Sequence, residues 1–492
     1  MAFQPSKYQK AVYTFITKCK GNAVIDAVAG SGKSTTIVNA LRIIDPSKRI
    51  LFLAFNKSIV EELKIKIGTL PNVDIKTLHS LGCSSVRRTF NSNIEPEKYK
   101  AYINEKIANG SIVPTLSLQR EEMSDWKKNI LSLIDLGRVN LCDNTRQLEE
   151  LAYKHDLVLI DNESEIAMRA IEWGVNNTDI IDYTDMIYLP NRLKLRLYWY
   201  DWVFIDECQD LNAAQRELFL KCIKPNGGRF VAVGDPRQAI YGFCGADVQS
   251  FDLLKHIPHT AKLPLSICYR CDADIITLAK QLVPQIEARD NAPSGEVKRD
   301  CVIEDVKDGD MVLCRVTSPL VRLCMNYIAH GVKAYVKGRD IGENLINLIK
   351  KTNCVRMEDC MERLNREFGR IIGKVVAKTH CSEEEAKQSE VYRAYEDKIN
   401  AIEIIGDGLD KCADVITRIE SIFRDDQKSG ICLSTIHKSK GLESDRVFIV
   451  REDKMLLKQC MRVPWMAEQE YNLVYVAYTR AKHFLGFIPG SI

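Results

Sequence analysis

The stretch at residues 23–38, AVIDAVAGSGKSTTIV, limits what this 492-residue chain can fold into more than any other. An apolar run at 23–28 reads as a buried strand, a loop of small residues follows, and Lys33-Ser34-Thr35 opens a helix. Strand, glycine loop and helix in that order form a phosphate cradle, here with Ala27 where the general pattern has its first glycine. Gly30 and Gly32 reach backbone angles closed to other residues, so successive N–H groups can turn inward around an anion. The positive end of the new helix faces the same anion. Lys33 adds a point charge for the outer phosphates, and the Ser34 hydroxyl is the expected Mg²⁺ ligand. A glycine turn without a ligand is the alternative, disfavoured by the strand and helix signals on either side. A chain of this kind is expected to bind a nucleoside triphosphate.

Its length allows three or four domains. Hydrophobic residues at 46% and charged residues at 27% are those of a globular protein. No apolar run approaches the length of a bilayer span. The first twenty residues carry four lysines and no signal-peptide core. The expectation is a product with no membrane partner that stays inside the cell, in cytoplasm, nucleoid or nucleus. The 17 cysteines are scattered, and the one close pair, Cys268 and Cys271, has no second pair at zinc-site spacing. Reduced thiols are expected. Charge is uneven: residues 1–100 carry a net +9 and residues 151–210 a net −7. The basic segment suits a polyanionic partner, and solvated charged faces explain it equally well.

Residues 3–15 read as a short helix ahead of the loop. Gln9 within it can donate and accept, as reading an adenine edge requires; taken alone it is a surface glutamine. Strands at 50–55 and 73–76 end in Phe55-Asn56-Lys57 and Thr77-Leu78-His79-Ser80, separated by a helix at 58–67. Alternation at this spacing indicates βαβ units in a parallel sheet, which bind ligands beyond the carboxyl ends of their strands. From 86 to 182 the pattern turns to amphipathic helix, for instance at 121–136 and 147–156. The run 201–210, DWVFIDECQD, is a strand ending in adjacent carboxylates. Asp206 suits the Mg²⁺ that Ser34 also touches, and Glu207 the attacking water; alone, two acids could merely begin a turn. The next strand, 229–234, runs into GDPRQAIYGFCGAD. There Gln238 suits γ-phosphate sensing, while Tyr241 and Phe243 offer flat faces to a base or to the core. LPLSICYRC at 263–271 adds Tyr269 as a candidate adenine platform and Arg270 as a candidate transition-state cation. A second alternating set follows, with a charged helical stretch at 341–430 before strands at 431–436 and 446–450, a helix at 468–482 and a strand at 483–488.

In chain order the segments AGSGKS, AFNKS, TLHSLG, DYTDM, FIDECQD, VGDPRQAIYGF, CYR, TIHKSKGLE and VYVAYTRAK line up. The set resembles superfamily 1 helicases of the UvrD/Rep/PcrA type, including the F-box DNA helicase branch, over nearly the full length. The resemblance implies an α/β fold of two RecA-like P-loop NTPase domains with parallel sheets, each carrying a mainly helical insertion. The first domain would be 1–85 with 183–260, interrupted by 86–182; the second 261–340 with 431–492, interrupted by 341–430. It implies ATP and Mg²⁺ in the cleft between them. Gln9 and Tyr269 would hold adenine, and Ala29, Gly30, Ser31, Gly32, Lys33, Ser34 and Thr35 the phosphates. Asp206 would complete the metal site, Glu207 would be the base and Gln238 the γ-phosphate sensor. Arg270 and Arg480 would be arginine fingers, and Glu443 would contact the sugar or its surroundings. Phe55, Asn56, Thr77, His79, Phe243, Thr435 and His437 would contact DNA.

The implied activity is an ATP-dependent DNA helicase or single-strand translocase, moving 3′ to 5′ by its KGLE-type signature. Its partners would be single-stranded DNA and single/double-strand junctions, with replication, recombination or repair proteins beside them. An RNA-directed helicase and a nucleotide-switched clamp are the competing readings; the full set of catalytic residues argues against the clamp. Cys244 stands where many members carry Arg, which puts one contact near DNA in doubt. The second insertion is shorter than in the large bacterial helicases, and the chain ends soon after the last motif, so neither a nuclease nor a long tail is expected.

Overall fold

Every residue of the strand Ile50–Ala54 is buried. A strand covered on both faces belongs in a parallel sheet flanked by helices. In the computed structural model it lies in such a sheet. The structure describes residues 4–490 except 55, 69, 156, 158, 241–248, 380, 381, 388, 428 and 457–463. Two compact units divide the chain: Met1–Ala27 with Gly32–Leu265, and Val28–Ser31 with Ser266–Ile492.

The first unit is built on β1 (Asn22–Ala27), β2 (Ile50–Ala54), β3 (Val73–Thr77), β4 (Trp202–Ile205), β5 (Arg229–Gly234) and β6 (Thr260–Leu265). Their order across the sheet is β3-β2-β4-β5-β1-β6, all pairs parallel. Ala23 pairs with Val231 and Ile205 with Ala232, so β4, β5 and β1 end side by side. β6 is an addition to the sequence reading, which placed no strand there. It is an edge strand, only partly buried; Ala261, Leu263 and Leu265 alternate with more exposed positions, but Pro264 within the run breaks the strand signal.

Helices α1 (Lys7–Lys18), α2 (Lys33–Arg42), α3 (Lys57–Ile67) and α4 (Leu78–Phe90) connect or cover the strands. Each start is chemically marked. Ser6 and Gln9 form a capping box at α1, Asn56 caps α3 and Thr77 caps α4. Between α4 and β4 lies a helical body: α5 (Lys98–Ala108), α6 (Arg120–Val139), α7 (Thr145–Lys154), α8 (Glu163–Asn176) and α9 (Asp185–Arg192). Its core holds Trp126, Ile130, Leu133, Ile166 and Ile171. It also buries a charge cluster. Asp185 accepts from Lys98 (2.7 Å), Arg138 (2.8 Å) and the Tyr99 hydroxyl (3.1 Å), and Arg138 also reaches Asp182 (2.7 Å). Arg138 lies over the Tyr99 ring at 3.9 Å.

The second unit repeats the scheme with β7 (Glu296–Lys298), β8 (Met311–Cys314), β9 (Ala334–Lys337), β10 (Ile431–Thr435), β11 (Ser444–Val450) and β12 (Ala481–Ile488), in the order β7-β12-β11-β8-β10-β9. All its pairs are parallel too. The helices Arg339–Thr352, Met357–Thr379, Glu390–Gly406 and Cys412–Ile422 fall between β9 and β10. Among the described residues no helix is long and apolar enough to cross a membrane.

Candidate active site

The loop after β1 turns through two left-handed glycines, Gly30 at φ 65° and Gly32 at φ 75°. Gly32 is the N-cap of α2 and brings no side chain to it, so the first turn of the helix is open to an incoming acceptor. Within the second unit, Gly30 accepts from the Tyr269 N–H (2.8 Å), and a Cβ on Gly30 would meet the Arg270 Cβ at 2.6 Å. Both its dihedral angle and its neighbour require glycine. Ser31 is buried, and its hydroxyl has no hydrogen-bond partner among the described residues. An orphan hydroxyl beside the uncapped first turn of a helix fits a phosphate. Ser34 is half-buried and Thr35 exposed. Ser34 and Asp206 supply hard oxygen donors of the kind Mg²⁺ takes.

Lys33 is paired with Glu207, Nζ to Oε1 at 2.8 Å. Burial alone would lower the lysine pKa. The charges of Glu207, Asp206 and Asp235 outweigh it and hold the ammonium above its ordinary value. Asp206 and Glu207 leave the end of β4, and Glu207 sits at φ 51°, a strained angle for a residue with a side chain. Its backbone N–H donates to Asp206 (2.9 Å). The strain turns the Glu207 carboxylate to the lysine while Asp206 stays buried behind it.

Three residues here escaped the sequence reading. Asp235, at the end of β5, is buried and accepts from Gln238 Nε2 (2.6 Å) and the Arg237 N–H (3.0 Å). Burial pushes its pKa up to about 6, against the lowering pull of Lys33. Gln209 bridges the two strand ends, donating to Glu207 and accepting from the Asp235 N–H (3.1 Å). Gly234 makes room for it: a Cβ there would come 2.3 Å from the Gln209 side-chain oxygen. The signal for Asp235 was present, an acid at the end of an apolar strand, as at Asp206. From that segment the sequence reading takes Gln238, Tyr241 and Phe243 and passes over Asp235. Gln238 lies in the same network, buried beside Asp235.

Gln9 is buried, not a surface glutamine. Its oxygen accepts from the Ser6 N–H (3.0 Å), and its nitrogen donates to Thr36 (3.0 Å), whose hydroxyl donates to the Gly32 carbonyl (2.9 Å). The glutamine therefore braces the start of α2.

In the second unit Tyr269 is 40% exposed. Arg270 is ion-paired to Glu443 (2.6 Å) and donates to the Thr479 carbonyl (3.1 Å); Glu443 also pairs with Lys482 (3.3 Å). Burial opposes ionisation of Glu443, but Arg270 and Lys482 prevail and hold its pKa low. Arg480 is buried, its guanidinium donating to the carbonyls of Leu442 (3.0 Å) and Val476 (2.9 Å). Cys271 is buried and its N–H points at the Cys268 sulfur (3.5 Å). No metal-binding cluster of His, Cys, Asp and Glu exists among the described residues.

Of the DNA candidates, Phe55 and Phe243 lie outside the described residues, as do Tyr241 and Cys244. Asn56, Thr77 and His79 follow the carboxyl ends of β2 and β3, with Asn56 and His79 exposed. Thr435 ends β10 and is buried. His437, two residues on, has its pKa pushed down to about 3, first by burial and then by Arg315 and Lys438. It is neutral at pH 7, suited to hydrogen bonding and not to phosphate pairing.

A glycine loop at the end of β1, with carboxylates at the ends of neighbouring β4 and β5, defines a P-loop nucleoside-triphosphate-binding protein. Residues 8–258 match the UvrD/REP helicase N-terminal domain, and residues 332–489 match the UvrD-like helicase C-terminal domain. The chain belongs to the UvrD-like helicase family, as its ordered motifs imply. Among its relatives, the ATP-dependent DNA helicase Rep of Buchnera aphidicola subsp. Baizongia pistaciae is 26% identical over 307 residues, 56% of this chain and 42% of that protein. Rep of Escherichia coli is 24% identical over 305 residues, again 56% and 42%. The F-box DNA helicase 1 of Gallus gallus is 22% identical over 503 residues, covering 94% of this chain and 46% of that protein. The chain thus spans about half the length, or less, of these curated relatives.

Proposed function

We propose that this chain is an ATP-dependent DNA helicase or single-stranded DNA translocase, moving 3′ to 5′. The observation that carries the reading is the half-buried Lys33–Glu207 pair, set between a phosphate loop and the buried Asp206 carboxylate. Lysine and glutamate neutralise each other in this pair. A triphosphate competes for the lysine, and Glu207 is then released as an acceptor for the proton of the attacking water. Ser34 and Asp206 would hold Mg²⁺, which neutralises charge on the phosphates. Gln209, tied to Glu207 and to the backbone of Asp235, keeps the base oriented. Gln238 reports on the terminal phosphate through Asp235. Arg270 and Arg480 are the proposed cations for the transferred phosphoryl group, and Tyr269 and Glu443 the proposed contacts to the nucleoside. Asn56, Thr77, His79, Thr435 and His437 are the proposed contacts to the strand.

Purified chain should hydrolyse ATP faster with single-stranded DNA than without it, and more so than with RNA of equal length. Glu207→Gln should retain ATP binding and lose about 10²–10⁴-fold in kcat. Unchanged turnover in that variant would refute the base assignment, and no DNA stimulation would refute the helicase reading. Unwinding of 3′-tailed but not 5′-tailed duplexes tests the direction.

A further inference from the structure

After α9 the chain leaves the helical body as an irregular segment, 195–199, that leads into β4. Two large aromatics stand side by side on it in solvent, Tyr198 at 55% and Trp199 at 57% exposure. Arginines stand over the first of them and over the neighbouring Tyr200. The Arg88 guanidinium lies 4.9 Å from the Tyr198 ring centre, and Arg49 lies 6.0 Å from it and 5.0 Å from Tyr200. Arg88 also donates to the carbonyl of Arg196, which the Ser85 hydroxyl shares (3.0 Å). Arg49, Arg88 and Arg196 are exposed. The carboxylates in reach are engaged: Asp201 accepts from the Arg49 N–H (3.0 Å) and pairs with Lys224 (3.1 Å), and Asp74 accepts from the Tyr200 hydroxyl (2.7 Å).

The place of this patch in the sheet separates it from the candidate active site. Arg49 immediately precedes β2 and Asp201 immediately precedes β4, and Ile50 pairs with Trp202. The patch therefore lies at the amino ends of the strands. The phosphate loop, Asn56 and Thr77 lie at the carboxyl ends, about 16 Å away at 3.3 Å per residue.

Adjacent exposed aromatics call for a partner. With the nearby carboxylates already engaged, the exposed guanidiniums of Arg49, Arg88 and Arg196 give the patch a positive charge that a polyanion complements. Exposed aromatics with cations close by match a partner with stackable bases and a phosphate backbone, and a duplex keeps its base faces hidden. We propose that Arg49, Arg88, Arg196, Tyr198 and Trp199 form a second binding surface for single-stranded DNA, on the sheet edge opposite the phosphate loop. The surface also gives a physical role to part of the excess positive charge of residues 1–100. It goes beyond the ATPase reading and does not depend on it.

The test uses the full chain with (dT)₂₀ carrying 5-iododeoxyuridine. Photocrosslinks should map to Tyr198 or Trp199 by mass spectrometry. Trp199→Ala should weaken (dT)₂₀ binding about 5- to 150-fold. Arg49→Ala with Arg88→Ala should make the dependence of log affinity on log salt shallower by about 1.4. Arg49→Lys with Arg88→Lys should restore that slope. ATP hydrolysis without DNA should stay at the unsubstituted rate in all three variants, which also reports that they fold. Crosslinks confined to other peptides, with affinity and salt slope unchanged by the substitutions, would overturn the proposal. Tighter binding of (rU)₂₀ than (dT)₂₀ at this surface would overturn its assignment to DNA. If crosslinks appear while DNA leaves ATP turnover unstimulated, the surface stands and the helicase reading falls.

Discussion

At the scale of single residues, the candidate active site depends on side chains that hold other side chains. Gln209 is the clearest, because its amide joins Glu207 to the backbone at Asp235. Gly234→Ala would drive a methyl into that amide. The expected result is a fall of about 10–100-fold in kcat with KM for ATP little changed, read from steady-state kinetics. His437 yields a prediction in pH. Its folded pKa is about 3 and an unfolded histidine titrates near 6.5, so between those values the unfolded chain binds the extra proton. The contribution is complete above about pH 6.5 and is lost as pH falls toward 3. Replacing His437 with Gln should flatten the decline of melting temperature across that window, measured by circular dichroism in a buffer series.

Elements carry the next level. The helical body between α4 and β4 was legible as helix from its amphipathic spacing, but the reason it holds its form was not. Lys98 and Arg138 are far in sequence from Asp182 and Asp185 of the DYTDM segment, and nothing in their spacing pairs them. Folding buries them together. Asp185 belongs to the DYTDM segment, whose acids tie the start of α9 to α5 and α6. Asp185→Ala would leave the buried Lys98 ammonium without its carboxylate and remove one of the carboxylates on Arg138, at a cost of about 3–5 kcal/mol. Urea unfolding should show that loss, whereas removing the exposed pair Arg146–Glu150 should change stability by about 0.5 kcal/mol or less. The edge strand β6 was not legible for a related reason. Pro264 masks the short alternation of Ala261, Leu263 and Leu265, and it is tolerated because one side of the ladder is open.

For the whole molecule, ligand binding should appear as stability. A nucleotide that binds only the folded chain raises stability by about 2.7 kcal/mol at a hundredfold excess over Kd. ATP with Mg²⁺ should therefore raise the melting temperature, Lys33→Ala should abolish the shift, and Glu207→Gln should keep it. Differential scanning fluorimetry distinguishes the three. A shift that survives in Lys33→Ala would place the nucleotide elsewhere in the chain.

The sequence alone determined what is local or periodic: the phosphate loop, the strand-and-helix alternation, the acids at the end of β4 and the order of motifs that marks the family. Those features follow from backbone angles, side-chain periodicity and spacing, which neighbouring residues decide between them. Only the tertiary structure decided which distant groups share a dielectric. It buried Gln9 against Thr36, set Gln209 against the backbone of Asp235, enclosed the ion cluster around Asp185 and gathered Arg49 and Arg88 around Tyr198. The energy of a charge or an amide depends on what surrounds it in space, and chain order does not carry that information.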